Sequence, residues 1–141
     1  PNRKTATNNH GPVSSDYIGM NDEQVWEESF KYIATIIPIF IVLFILFAVV
    51  QYNDVDGWLW ILVYLLSAFM CFRASKRLGD KLSYLTIGTL FLLWGINIYP
   101  PEWEGVMLNT AGMKTLNIEL GRESLGLFVC SFAMFFCGIW D

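Results

Sequence analysis

Charged residues are scarce in this sequence of 141 residues: they make up 16% of it, whereas an average soluble protein has about 25%. Lysine and arginine are fewer than aspartate and glutamate, nine against thirteen, which gives a net charge of −4. A surface that binds nucleic-acid phosphates needs an excess of positive charge, so the composition argues against a nucleic-acid partner. Hydrophobic residues reach 55%, which excludes intrinsic disorder for most of the chain.

Histidine and cysteine, the usual ligands of transition metals, are also few. His10 is the single histidine and lies in the polar N-terminal segment, so one chain cannot supply a bis-histidine haem or a histidine-based metal site. Cys130 and Cys137 lie on one predicted helix, about 10.5 Å apart along its axis, which is too far for a disulfide bond. Cys71 could approach Cys137 across helices, but we expect the cysteines to serve as small buried side chains. The sequence therefore predicts no metal and no cofactor.

Short catalytic motifs are lacking as well. The sequence contains no glycine-rich phosphate loop, no nucleophile elbow and no zinc-protease helix motif. A membrane enzyme would need acid–base chemistry from Glu119 or Glu123. We therefore expect a protein without catalytic activity.

Four long apolar segments without internal charge dominate the chain. About 20 helical residues, each rising about 1.5 Å, cross a hydrocarbon core of about 30 Å. The first segment, YIATIIPIFIVLFILFAVVQ, has no polar stripe at helical spacing, which argues against a soluble four-helix bundle. No segment carries an ionisable residue in its middle, which argues against an ion pump. The sequence predicts an all-α membrane protein, a four-transmembrane-helix bundle in residues 32–141, with spans at about residues 32–51, 55–74, 82–99 and 124–140.

Residues 1–31 form a separate polar N-terminal region. Residues 1–20 should be loop or extended chain, and because the chain starts at Pro1 with a composition like the end of an organelle transit peptide, we expect a processed product. Asn21 followed by Gln24 is a capping box, which predicts a helix start. The following residues mix aromatic and acidic side chains and predict a short interfacial helix. Since anionic lipid surfaces attract basic helices, this acidic helix indicates a protein partner as an alternative docking surface.

Basic residues are distributed unequally between the predicted connections. Four lie in residues 73–81 and three in residues 1–31, against two in the first and third connections together. By the positive-inside rule, both termini and the second connection face the cytoplasm, stroma or matrix, and the other two connections share the opposite compartment. We expect an organelle membrane, either the thylakoid or the mitochondrial inner membrane.

Two polar stretches at the outer ends of the predicted spans are the candidate functional site. Arg122 could pair with a carboxylate of the other stretch, because a guanidinium matches a carboxylate in bidentate geometry. Three interpretations stay open: helix capping and closure of the bundle, which carboxylates near helix N-termini favour; a site for a polar headgroup or small ligand; and a cation site, although regular calcium-loop spacing is lacking. The six residues are Asn53, Asp54, Asp56, Glu119, Arg122 and Glu123.

A stripe of small residues lies on the fourth predicted span. Gly126, Cys130, Ala133 and Cys137 recur at spacings of 4, 3 and 4 residues, which places them on one helix face. Small side chains let helices approach closely in lipid. The stripe therefore predicts a contact either with another span of this bundle or with another subunit.

Two stretches together resemble the transmembrane-protein-220 family. They are residues 51–58, QYNDVDGW, and residues 117–127, NIELGRESLGL. The family consists of small four-span proteins with an Asn-Asp-Pro-Asp type element after the first span and a Glu-x-x-Arg-Glu type element at the start of the last. The similarity covers about residues 33–140; Val55 departs from the usual proline, and the N-terminal region exceeds the usual family pattern. The resemblance implies a four-span architecture and supplies no catalytic residue.

These features lead us to expect a non-catalytic accessory subunit of a larger membrane complex, such as a photosynthetic or respiratory assembly. The expected partners are membrane lipids and other membrane-protein subunits. The alternative is a lipid or small-molecule binding protein, or a carrier, that uses the six polar residues of the candidate site. Aromatic-rich spans also suit lipid or pigment contacts, although the spans contain no histidine to bind the magnesium of a chlorophyll.

Overall fold

A computed structural model describes residues 21–106 and 115–141, and in these ranges all regular elements are helices and none is a strand. The all-α class is thereby confirmed. The expectations for residues 1–20 lie outside the described residues. The α-helices are α1, Asp22–Val50; α2, Gly57–Ser75; α3, Lys81–Asn97; and α4, Leu116–Trp140, with a short 3-10 helix, Gln51–Asn53, after α1.

Three segments are long and apolar enough to cross a membrane: Asp22–Asn53, Gly57–Ser75 and Leu116–Trp140. This finding agrees with an integral membrane protein. The remaining helix, α3, has 17 residues, which extend over about 25 Å and fall short of a hydrocarbon core of about 30 Å. The predicted third span, residues 82–99, is therefore longer than the helix itself, and the count of four spans stays a prediction.

The start of α1 confirms the predicted capping box. The side-chain oxygen of Asn21 accepts a hydrogen bond from the Gln24 amide (2.9 Å), and the Gln24 side chain accepts one from the Asn21 amide (3.1 Å). From there the helix continues to Val50 without interruption and includes Pro38. A separate interfacial helix over residues 22–31 is therefore not confirmed. The physical reason is that no helix-breaking residue separates this segment from the apolar run that follows.

The chain divides into two units, residues 1–32 and residues 33–141. Within the second unit, α3 and α4 form the closest helix pair. Ser124 donates its hydroxyl hydrogen to the Gly95 carbonyl (3.0 Å), and Ser131 donates to the Gly88 carbonyl (2.7 Å). From the first hydrogen bond to the second, the serine lies seven residues later on α4 and the glycine seven residues earlier on α3. The two helices therefore run antiparallel and keep one register over two turns.

Glycine on α3 is what allows this close approach. A Cβ atom placed on Gly88 would lie 3.1 Å from the Phe135 ring, and one on Gly95 would lie 2.8 Å from the Phe128 ring. The same register brings Gly138 of α4 against the first turn of α3. Close packing of small residues and interhelical hydrogen bonds are what hold helices together in lipid, where the hydrophobic effect no longer drives their association.

α1 joins this pair through aromatic rings. Phe44 is fully buried in the core. The ring centroids of Phe47 and Tyr64 of α2 are 5.3 Å apart, and those of Phe40 and Phe136 of α4 are 5.8 Å apart, both pairs edge to face. Such ring pairs each contribute about 0.5–1.5 kcal/mol beyond the area they bury. The residues of α1 in this unit are thus held by large side chains, whereas α3 and α4 are held by small ones.

The α3–α4 pairing yields the first prediction. Replacing Gly88 with leucine (Gly88→Leu) should destabilise the protein by about 1–3 kcal/mol. The leucine side chain would press against the Phe135 ring and overpack the contact between α3 and α4. Ser131→Ala should cost less, about 0.6 kcal/mol, the average for an interhelical hydrogen bond in a membrane protein. Unfolding of the purified protein in detergent micelles measures both. The control is Leu90→Ala, since Leu90 is exposed on the same helix; equal losses of stability for Gly88→Leu and this control would contradict the packing.

Candidate functional site

Three of the six predicted site residues come together at one end of the second unit. Asp56 precedes α2, and Glu119 and Glu123 lie in the first two turns of α4. One carboxylate oxygen from each lies within 4.8 Å of the other two. Glu119 and Glu123 are both partly buried. The acidic residues before α2 and at the start of α4 therefore meet, and we name Asp56, Glu119 and Glu123 the carboxylate cluster.

A buried tryptophan holds the position of Asp56. The Trp60 indole nitrogen, one turn further along α2, donates a hydrogen bond to an Asp56 carboxylate oxygen (3.3 Å). The Trp60 ring stacks on Trp94 of α3, with centroids 5.5 Å apart. Asp56 does not cap the α2 N-terminus through its side chain, because that side chain accepts no hydrogen bond from the first-turn amides. The α2–α3 packing thus orients this carboxylate through the indole.

Asn53 and Asp54, two further residues of the predicted site, lie in the turn before Asp56. Asn53 ends the short 3-10 helix, and both Asn53 and Asp54 are exposed. The Asp54 carbonyl accepts a hydrogen bond from the Gly57 amide (3.1 Å). A Cβ atom on Gly57 would overlap the Gln51 carbonyl oxygen. These two residues therefore shape the turn that delivers Asp56.

Arg122 of α4 has a structural partner on the third connection, which in the structure is the segment between α3 and α4 (residues 98–115). Its Nε donates a hydrogen bond to the Val106 carbonyl oxygen (2.6 Å). The sequence led us to expect a pairing with Asp54 or Asp56. The hydrogen bond to Val106 gives the guanidinium a role in holding the third connection against α4, beside the carboxylate cluster, and the pairing with Asp54 or Asp56 stays a prediction.

Glu104 was missed by the sequence analysis, and it holds the start of α4. Its two carboxylate oxygens accept hydrogen bonds from the Thr115 hydroxyl (2.6 Å) and the Asn117 side-chain amide (3.3 Å). Thr115 is the N-cap of α4, and its hydroxyl oxygen also accepts a hydrogen bond from the Ile118 amide (3.3 Å). These hydrogen bonds lower the pKa of Glu104 below its usual value. The signal that could have found the cap is a threonine directly before an apolar helical segment.

Two aromatic rings stack within the third connection. Tyr99 and Trp103 stack with ring centroids 5.8 Å apart and an interplanar angle of 9°. Gly105 has a φ of +84°, a conformation that glycine adopts without strain. The Trp103 ring lies over Gly121 of α4, where an added Cβ would approach it to 3.3 Å. The described part of this connection therefore folds onto the α4 N-terminal half next to the carboxylate cluster.

The predicted small-residue stripe lies on a different face of α4 from the serines. All of its members are buried. Gly126 lies under the Tyr64 hydroxyl of α2, which a Cβ atom there would overlap. Cys137 contacts Cys71 of α2, with their sulfur atoms 3.7 Å apart. The stripe, Gly126, Cys130, Ala133 and Cys137, thus packs inside the chain's own core, with both of its ends against α2.

The carboxylate cluster concentrates negative charge. Three carboxylates this close repel one another when all are charged, and a bound cation or a proton relieves that repulsion. Among residues 21–106 and 115–141, this is the group of histidine, cysteine and acidic side chains whose ligand atoms converge. Carboxylate oxygens suit hard cations or organic ammonium groups. The arrangement therefore has the ligand atoms to hold a cation or an ammonium group.

Comparison with protein families gives one match. The model of the family described as "Transmembrane family 220, helix" matches residues 43–139. The matched range includes all six predicted site residues and the whole of α2 and α3. No curated protein and no solved structure matches the chain. The match confirms the family resemblance that residues 51–58 and 117–127 indicated.

The hydrogen bonds of Glu104 yield a prediction about pH. Because its pKa is lower in the folded protein than its ordinary value of 4.5, its contribution to stability is present above that value and is lost as pH falls through the lowered pKa. We expect Glu104→Gln to lower the melting temperature (Tm) at pH 7 and to have no effect at a pH below the lowered pKa. Thermal unfolding in detergent at both pH values measures this.

Glu102 supplies the control for that experiment, since it is an exposed glutamate on the same connection. Glu102→Gln should leave Tm unchanged at both pH values. A loss of Tm for Glu104→Gln that persists unchanged in acid would contradict the assignment, because a protonated Glu104 has already lost its charged hydrogen bonds.

Proposed function

The chain belongs to the transmembrane-protein-220 family, and we propose that it acts as a non-catalytic accessory subunit of a larger membrane complex, in an organelle membrane. The observation that carries the proposal is that Trp26 of α1 is exposed among acidic residues. The family itself supports only a membrane protein with apolar helices, so the accessory role rests on this segment of α1.

Residues 21–32 carry an exposed face that combines aromatic and acidic side chains. Trp26 is 67% exposed. Glu23 lies three and four residues before Trp26 and Glu27, and Phe30 lies four and three residues after them, which places all four on one helix face. The neighbouring Glu28 forms an ion pair with Lys31 (3.0 Å). The face therefore presents a large indole ring flanked by negative charge.

This combination favours a protein partner over a lipid surface. Membrane surfaces that carry anionic lipids repel an acidic helix face. A partner with an apolar pocket and surrounding lysine or arginine residues would bury the indole and pair with both glutamates. Tryptophan in a pocket is among the side chains that contribute most to binding between proteins. We therefore propose that this face docks on a basic surface of another subunit.

Native sizing tests the accessory role. Membranes that contain the tagged full-length chain are dissolved in a mild detergent and separated on native gels. We expect the chain to migrate with other subunits, and Trp26→Ala to release it as a smaller species, because a central tryptophan contributes about 2 kcal/mol or more to a protein interface. Glu23→Lys combined with Glu27→Lys should release it as well, through charge repulsion.

The matched control is Trp58→Ala, because Trp58 at the start of α2 is equally exposed, at 67%, and lies outside residues 21–32. It should leave the larger species intact. A wild-type chain that migrates alone would refute the accessory role, and equal effects of the two tryptophan substitutions would refute docking through residues 21–32.

The carboxylate cluster favours a second candidate function, which is binding of a lipid or small molecule. Its three acidic groups within 4.8 Å suit a ligand with an ammonium group. Arg122 would then contribute by holding the third connection, since it donates to the Val106 carbonyl. In this role the protein would recognise the cationic headgroup of a lipid or a small organic amine.

Ligand titration separates the two candidates. If the cluster binds ammonium groups, phosphatidylcholine supplied in nanodiscs should bind the wild type in native mass spectrometry. Glu119→Gln combined with Glu123→Gln should then weaken that binding at least tenfold while leaving assembly with partners intact, and Glu102→Gln should change neither. Unchanged lipid binding in the double variant would exclude the cluster as the binding site.

A further inference from the structure

Two buried cysteines face each other between α2 and α4, at the end of these helices opposite to the carboxylate cluster. Cys71 lies in the last two turns of α2, and Cys137 lies in the last turn of α4. The Cys137 thiol donates a hydrogen bond to the Cys71 sulfur, with 3.7 Å between the two sulfur atoms. Both side chains are 0% exposed, and both are free thiols. Packing alone requires small side chains here but does not require two sulfur atoms in contact.

From this juxtaposition we infer that Cys71 and Cys137 form an oxidisable dithiol, which a hydroperoxide converts into a disulfide bond that joins α2 to α4. The sulfur atoms need to approach by about 1.7 Å to reach the bond length of about 2.05 Å. The third cysteine, Cys130, lies about 10.5 Å from Cys137 along α4. Cys130 is therefore too far along the helix to form a disulfide bond with Cys137.

The chemistry proceeds in two balanced steps. One thiol sulfur attacks an oxygen of the hydroperoxide, the O–O bond breaks, and the thiol becomes a sulfenic acid while the peroxide leaves as an alcohol that takes up the thiol proton. The second thiol then attacks the sulfenic sulfur, the S–S bond forms and water leaves. Two electrons pass from the two sulfurs to the peroxide.

The burial of the Cys71 and Cys137 sulfur atoms determines which reagents reach them. Because the sulfur atoms are shielded, a bulky water-soluble thiol reagent reaches them slowly, whereas a lipid-soluble hydroperoxide partitions into the apolar surroundings of the helices. Once one sulfur is oxidised, its neighbour is already within contact distance. This proximity makes the second step intramolecular and gives it a large advantage over any competing reaction.

The disulfide would add a covalent bond between α2 and α4 to the packing and hydrogen bonds that already hold the three helices together. α4 is tied to α3 by the two serine hydrogen bonds, and Tyr84 of α3 donates a hydrogen bond to the Met70 carbonyl of α2 (3.3 Å). A covalent bond between Cys71 and Cys137 would close this three-helix arrangement at one end. It would also constrain the unfolded chain over the intervening residues, so the oxidised protein should have a higher Tm.

Counting thiols tests the proposal. The purified, fully reduced chain in detergent is treated with cumene hydroperoxide, denatured, and labelled with N-ethylmaleimide for intact-mass measurement. We expect the reduced protein to take three labels, one for each cysteine, and the oxidised protein to take one and to lose the mass of two hydrogen atoms. Peptide mapping should identify a crosslink between Cys71 and Cys137.

Variants separate this pair from general oxidation. Cys130→Ser should take two labels when reduced and none after peroxide, whereas Cys71→Ser and Cys137→Ser should form no internal disulfide. Wild type that is denatured before the peroxide step should lose this selectivity, which shows that the fold brings the thiols together. Retention of three labels after treatment of the folded wild type, or crosslinks that include Cys130, would overturn the inference even if the Cys71→Ser or Cys137→Ser chain failed to fold.

Discussion

The hydrogen bonds that Ser124 and Ser131 donate to the carbonyls of Gly95 and Gly88 are the constraint on which the second unit depends. In apolar surroundings an unpaired hydroxyl costs free energy, and helices gain little from hydrophobic association. These hydroxyls reach a backbone carbonyl of the next helix only because the glycines let the two backbones approach. The pairing therefore fixes the distance between α3 and α4 and their register along the axis at the same time.

The carboxylate cluster follows from that arrangement. α4 packs on α3 through its serine face and on α2 through the face that contains Gly126, so the starts of α2 and α4 have fixed positions. Asp56 then lies beside Glu119 and Glu123 even though three close carboxylates repel one another. The hydrogen bonds of Glu104 and the Arg122 contact with Val106 hold the adjoining connection in place. Packing and the hydrogen bonds of neighbouring charged groups thus support an electrostatically unfavourable arrangement.

The sequence predicts well what depends on neighbouring residues along the chain. Apolar runs gave the helices, and the capping box gave the start of α1, because both arise within one helix. The serine–glycine contacts were missed because a serine in an apolar helix has the same appearance whether or not a carbonyl faces it, and helices that are apolar on all sides do not reveal their neighbours. Glu104 was missed for a similar reason, since its partner Thr115 lies beyond the third connection. A separate interfacial helix was expected because residues 22–31 mix aromatic and acidic side chains, but such a composition does not interrupt a helix.

The rigidity of α4 bears on which functions suit this architecture. A carrier that exposes its site alternately to two sides needs helices that move relative to one another. Sliding α4 along α3 by a single residue would break both serine hydrogen bonds and drive the glycines of α3 against large side chains such as Phe128 and Phe135. α4 also carries Glu119 and Glu123 near one end and Cys137 near the other, so a shift at either end would disturb both. A carrier role would therefore require movement of helices other than α3 and α4 relative to one another.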